Sequence, residues 1–242
     1  MRLDAHHSFS ARYPLATLAT ILKRNRFEGS ILVSEPPDFA ALPEFVRGVV
    51  IVSDRVEGRL LDEYQRHARF RGLCCRAAEP AAPAAGLPEN LHELERRGLS
   101  LDLKNGLPCV PALAERFPSL PIAIVHLGSP APGRDSRGER DRWAAAIEAA
   151  GRAPRVCCKL SGLAGLTDSP WRAEDLRPYV QHALSVFGPR RLMFGSGWPA
   201  ALPEHTWKES LAAFTQSIGA QPMEVREQLL GATAARFYGI AS

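Results

Sequence analysis

The run GSILVSE at residues 29–35 is followed by GVVIVSD at 48–54, and runs of the same kind recur at 121–128 (PIAIVHLG) and 190–196 (RRLMFGS). Each is short, with an apolar stretch at its centre, and the first three are rich in β-branched residues. Near-continuous apolar runs of this length mark parallel strands packed on a core inside and covered by helices outside. Working outward from them, strands are expected at 3–9, 29–35, 47–54, 70–77, 99–104, 122–128, 155–161 and 191–196.

Between the strands, apolar residues recur at helical spacing: Leu60, Leu61, Tyr64 and Ala68; Leu176, Val180, Ala183, Leu184 and Phe187; Trp207, Leu211, Phe214 and Ile218. Each set puts one apolar stripe against a sheet. Boundary residues agree: Ser169 and Pro170 stand before the helix at 174–187, Gly188 and Pro189 follow it, and Gly98 closes a helix at 91–97. No break in composition divides the chain, so residues 1–242 are expected to form a single domain. The expected fold is a (β/α)8 TIM barrel with an extra C-terminal helix at 223–238 that closes one end. The Pro/Ala-rich stretch at 79–86 and the Pro/Gly/charge-rich stretch at 128–142 both follow strands. They are read as loops on the rim where barrel active sites are built.

The 242 residues carry 30 Lys+Arg against 26 Asp+Glu, a net charge of +4 with the two signs interspersed, which is no basic footprint for nucleic acid. No run of about 18 apolar residues is present, so no membrane span is expected. The polar opening MRLDAHHSFSARYP is unlike a signal peptide, and the expected location is the cytoplasm. The five cysteines, Cys74, Cys75, Cys109, Cys157 and Cys158, lack the spacing of a disulfide framework or a zinc ribbon and are read as reduced thiols. A small-molecule substrate or ligand is the expected partner, with no nucleic acid and no membrane; an oligomer is left open.

Polar residues far apart in sequence converge on one rim: Asp4, His6 and His7 in DAHHSF, His126 in VHLGSP, and Ser196, Gly197 and Trp198 in GSGWP. With FRGL at 70–73, LSLDL at 99–103, CKLSGL at 158–163 and AARFYGI at 234–240, the chain resembles the amidohydrolase superfamily, in its lactonase-like branch of fuconolactonase-type and pyrone-dicarboxylate-lactonase-type enzymes. That family carries DxHxH on its first strand, a His in HLG on its sixth and an Asp in GSDWP on its eighth. The resemblance maps these onto His6, His126, Ser8 in place of the second His, and Gly197 in place of the Asp. His7 does not substitute, because neighbouring strand residues point to opposite sides. The GVRH of the fourth strand reads GLCC here, so Cys74 stands for a substrate-binding Arg and Arg76, two residues on, shares its face. The chain is also shorter than typical relatives between its second and fourth strands, which fits an altered or shallow pocket.

The resemblance implies hydrolysis of a small lactone-like cyclic ester or amide. His126 and Lys159 are expected to support the reaction, Lys159 at an oxyanion, with Asp102 as the alternative general base. His6, Arg76, Ser161 and Trp198 are expected to bind substrate. Zinc or another divalent metal is admitted only weakly, through His6 and His126, since two histidines fall short of the roughly three protein ligands of a catalytic zinc. Alternation sends one of Cys74 and Cys75, and one of Cys157 and Cys158, inward. An inward thiolate near His6 or His126, Cys74 in the first instance, is a further candidate nucleophile or soft metal ligand. The losses at Ser8 and Gly197 equally suit a degenerate barrel, a pseudoenzyme serving as a ligand-binding or partner subunit.

Overall fold

The computed structural model describes residues 1–77, 90–168, 170–200, 202 and 204–241. Eight parallel strands follow one another in sequence order: β1 (Leu3–His7), β2 (Gly29–Ser34), β3 (Val46–Val52), β4 (Phe70–Arg76), β5 (Ser100–Lys104), β6 (Ile122–Ile124), β7 (Val156–Ser161) and β8 (Leu192–Gly195). All eight lie where the apolar runs predict, and they form the expected α/β barrel. Alternation sorts each strand between two cores. An inner cluster holds Leu3, Ala5, Ile31, Val33, Val50, Cys74, Ala123, Val125, Cys157 and Met193, while the neighbours Leu32, Val49, Cys75 and Cys158 pack outward under the helices. One cysteine of each adjacent pair therefore faces inward.

The helices are α1 (Leu15–Arg24), α2 (Gly58–Tyr64), α3 (His92–Arg96), α4 (Val110–Arg116), α5 (Arg137–Gly151), α6 (Ala173–Phe187), α7 (Trp207–Ile218), α8 (Met223–Glu227) and α9 (Thr233–Phe237). Two features differ from the sequence reading. The connection from β2 to β3 holds only a 3₁₀ turn, Phe39–Ala41, so the second unit has no α-helix. The stretch at 128–142 is only partly a loop, because α5 begins at Arg137. There the Ser136 hydroxyl accepts from the Glu139 N–H while the Glu139 carboxylate accepts from the Ser136 N–H, a capping box that starts a helix despite the preceding Pro and Gly. The Pro/Ala-rich stretch at 79–86 and the boundary residue Ser169 lie outside the described residues.

The expected terminal helix is one helical run with a π turn, Gln228–Ala232, between α8 and α9. Gly231 sits in that turn against the start of β1, where a Cβ would fall 2.3 Å from the Met1 carbonyl oxygen. Only glycine permits the approach. The run closes the end of the barrel where β1 starts and sends the buried Tyr238 into its interior.

β8 closes on β1 without a regular ladder. The Gly197 N–H donates to the His6 carbonyl at 2.8 Å, and the buried Asp4 spans the seam. Its Oδ1 accepts from the Ser196 and His6 N–H groups at 2.8 and 3.1 Å, and its Oδ2 from Trp207 Nε1 at 2.8 Å.

Candidate active site

The site begins with a slip in β1. Leu3 and Asp4 pair with Gly29 and Ser30, but the next partner of Leu32 is His7, so three steps of β1 match two of β2. The extra residue lets both Ala5 and His6 serve the interior. His7 is left opposite the outward-facing Leu32, buried, and among the described residues neither ring nitrogen completes a hydrogen bond. Burial pushes its pKa down to about 3 against an opposing pull from the Ile31 backbone.

His126 is not on the sixth strand, as the sequence suggested. β6 stops at Ile124, and the chain turns through left-handed backbone at His126 (φ 51°), Leu127 (φ 56°) and Ser129 (φ 59°). The turn brings the His126 ring to the His6 ring, with centroids 4.8 Å apart and planes at 61°. Ser161 holds it there: its carbonyl lies 3.1 Å and its hydroxyl 2.9 Å from His126 Nδ1, and the hydroxyl accepts the His126 N–H at 3.2 Å. Burial, with the Lys104 and Lys159 cations adding to it and the Ser161 bond opposing, lowers the His126 pKa to about 4. His6 is held well below the ordinary histidine value by burial first, then by Lys159, His126 and Lys104. Both rings are neutral at pH 7.

Their partners fix which nitrogen carries the hydrogen. The Ser161 carbonyl can only accept, so His126 Nδ1 is protonated and Nε2 presents a lone pair. Lys159 can only donate, and its Nζ lies 3.5 Å from His6 Nδ1, so His6 carries its hydrogen on Nε2. Among the described residues neither Nε2 has a hydrogen-bond partner. Two adjacent imidazoles thus present one acceptor and one donor.

Lys159 and Asp102 sit deeper than expected. The fully buried Lys159 ammonium donates to Asp102 Oδ2 at 2.5 Å and to the Ala5 carbonyl at 2.9 Å, and with His6 all three of its hydrogens are engaged. It has none left for a substrate oxyanion. Asp102 also accepts from the Tyr238 hydroxyl, 2.8 and 3.0 Å from its two oxygens, so it is committed and cannot serve as a base at the mouth. Ser161 is fully buried and serves His126 rather than a ligand. Trp198 is buried against the Tyr13 ring at 6.2 Å, and its carbonyl accepts the Ser8 N–H at 2.7 Å; it braces the rim and does not line it. Burial, with Asp102 beside it, raises the Cys74 thiol to about 12, which disfavours the thiolate that a nucleophile needs.

Arg76 is exposed at the end of β4, in register with Lys104, and both follow the inward row of Cys74 and Asp102. Among the described residues neither cation has a carboxylate within ion-pair distance. Lys104 was not singled out from sequence, although alternation from Asp102 places it on the inner face. A cavity of about 480 Å³ opens beside the histidines, lined by His126, Gly162, Asp168, Gly197, Glu204 and His205 among others. His205 is buried with Nδ1 unpartnered among the described residues, and nothing in its sequence context marked it.

The amidohydrolase family pattern matches residues 38–240 of the chain. The chain belongs to the amidohydrolase family. An uncharacterized protein of Sinorhizobium fredii, y4mH, is 31% identical over 76% of this amidohydrolase and 65% of its own length. An L-fucono-1,5-lactonase of Burkholderia multivorans is 37% identical over 55% of this chain and 48% of its own length. The chain thus spans less than two thirds of these curated relatives. Among solved structures, an amidohydrolase from Burkholderia multivorans with bound HEPES superposes with a TM-score of 0.83 at 26% identity, and a form with bound zinc at 0.82, each covering 100% of both chains. A putative 2-pyrone-4,6-dicarboxylic acid hydrolase from Pseudomonas putida reaches 0.75 at 25% identity over 98% of this chain and 97% of its own.

The donor set of this family member does not suit the divalent metal that its family commonly binds. Ser8 and Gly197 offer no strong ligand where the family motif has His and Asp, and the Lys159 ammonium stands 3.5 Å from the Nδ1 of one remaining histidine. Among the described residues no group of three or more His, Cys, Asp or Glu side chains is placed to hold a metal.

Proposed function

We propose that this chain opens a lactone-type ring ester by adding water, with the His6–His126 pair as its reactive centre and without a tightly held metal. The observation that carries the reading is the complementary state of the two imidazoles. His126 Nε2 takes a proton from water as the oxygen attacks the ring carbonyl. His6 Nε2–H donates to the carbonyl oxygen as it becomes an oxyanion. When the tetrahedral intermediate collapses, the ring C–O bond breaks and the His126 imidazolium returns its proton to the leaving alkoxide, giving a hydroxy acid. Lys159 does not touch the substrate; its ammonium keeps His6 in the donor form. Arg76 and Lys104 supply a positive edge that draws the carbonyl dipole in. Similarity to an L-fucono-1,5-lactonase and to a putative 2-pyrone-4,6-dicarboxylic acid hydrolase supports a cyclic ester as substrate class.

The test is proton release from a panel of five- and six-membered lactones by chelator-treated protein. Ring opening that survives chelation and falls at least ~100-fold in His126→Gln is expected. Activity lost on chelation and restored by zinc overturns the metal-free reading, and no ring opening of any lactone overturns the hydrolytic one. The second reading, a non-catalytic barrel that binds a ligand or a partner, is favoured by the absent ligands at Ser8 and Gly197. His126-dependent turnover sinks it.

A further inference from the structure

The β2–β3 connection, which holds no α-helix, borders the barrel mouth between the ends of β1 and β3. A cavity of about 700 Å³ opens there, lined by Ser8, Phe9, Val33, Leu42 and Val52 among others. Val33 belongs to the inner core row, and Val52 pairs with the inward Cys74, so the floor of this cavity is the inner face of the barrel at its rim. Its apolar surface is open to water: Phe9 is 59% and Val52 37% exposed, two of the three large apolar side chains so exposed among the described residues. A contiguous apolar concavity at a barrel mouth is the usual form of a small-molecule subsite. Ser8 stands two residues beyond His6 on the same chain segment, which makes the cavity adjacent to the reactive pair. The acids on its edge, Glu35 and Asp38, are exposed and disfavour an anionic occupant.

We infer that the substrate carries a neutral apolar arm, alkyl or aryl, which lies in the β1–β3 cavity while the ring ester meets His6 and His126. This rests on the hydrolytic reading above. It predicts a preference that polar sugar-like lactones cannot satisfy.

The experiment measures kcat/KM on δ-lactones whose alkyl substituent is lengthened one methylene at a time, together with dissociation constants for the matching unreactive δ-lactams. Each methylene is expected to raise kcat/KM and tighten lactam binding about fourfold until the cavity fills, the equivalent of about 0.8 kcal/mol per methylene. Val52→Asp and Phe9→Asp, at exposed positions that tolerate a polar residue, are expected to abolish that length dependence. Met223→Asp, 75% exposed elsewhere, is expected to retain it. Hydrolysis without length dependence overturns the inference and leaves the hydrolytic reading standing. Lactam binding that tightens with length, in the absence of any hydrolysis, supports the apolar subsite and overturns the hydrolytic reading alone. Concentration-dependent dimerisation that is lost in Phe9→Asp and Val52→Asp, with no length effect, assigns the face to a second copy of the chain and overturns the inference.

Discussion

At the scale of single residues, the site is governed by neutral imidazoles set between one buried cation, Lys159, and the rim cation Lys104. A base with a pKa near 4 is weak but fully available at pH 7, so kcat/KM is expected to lose its activity only as pH falls through about 4, not through the usual histidine range. Lys104→Met removes one of the charges that hold His126 and His6 down, so the acid limb is expected to move up toward 6.5. A pH–rate profile read beside imidazole NMR titrations checks this; a limb that stays in place denies Lys104 its electrostatic role. Lys159→Met leaves the Asp102 carboxylate buried and unpaired, and is expected to cost about 3–5 kcal/mol by denaturant unfolding. Adding Asp102→Leu is expected to recover most of that stability without recovering activity, because His6 no longer has an ammonium to fix its donor form. Full activity in the stable double variant would show that the tautomer of His6 is immaterial. Gly197 explains why the lost carboxylate is not simply restored: it has φ +72°, and a Cβ there would lie 3.0 Å from Gly162 Cα.

At the scale of elements, the decisive feature is the seam where β1 meets β8. Asp4 ties three donors from β1, from the segment after β8 and from α7, with burial raising its pKa and those hydrogen bonds opposing the rise. Asp4→Ala orphans them in the interior and is expected to cost about 2–5 kcal/mol, a fall in melting temperature of roughly 5–15 °C for a chain of this size. A change within a degree would show that the seam is held by packing alone. The strands were legible because burial on both faces writes an apolar run into each of them, and His6 and His126 because their motifs bracket strand ends. What was not legible depends on quantities that a sequence does not display. The one-residue slip that turns His6 inward sits inside an unremarkable DAHH. Depth along a strand separates Lys159 and Asp102, sealed under the mouth, from Arg76 and Lys104, open at its rim, although all four sit on inward rows. The Ser136–Glu139 capping box is a three-residue spacing that the Pro and Gly before it mask. Tyr238 enters the account only because the π turn at Gly231 aims the last helix into the barrel.

At the scale of the whole molecule, three histidines with lowered pKa values make stability depend on pH. His7 at about 3, His126 at about 4 and His6, also well lowered, stay neutral in the folded chain at pH values where an unfolded histidine, near 6.5, already takes a proton. Between those limits the unfolded state binds more protons, so stability is complete above about pH 6.5 and is lost as pH falls toward 4. Each histidine contributes a slope of about 1.4 kcal/mol per pH unit, and three together about 4 kcal/mol per pH unit, which over about two units is large against a total of about 5–15 kcal/mol. Asp4, its pKa raised, acts in the opposite direction, as one group against three. The chain is therefore expected to unfold cooperatively between about pH 4 and 5, followed by circular dichroism. His7→Leu isolates one of the three, since that ring faces the outer core with nitrogens unpartnered among the described residues and leucine suits the site better. The variant is expected to be more stable at pH 7 by about 1–3 kcal/mol and to unfold at lower pH, with the slope reduced by about a third. An unchanged slope would mean that His7 is already protonated in the fold, or that its nitrogens have found a partner; either result would transfer the acid sensitivity to the His6–His126 pair, where it would track the loss of the base.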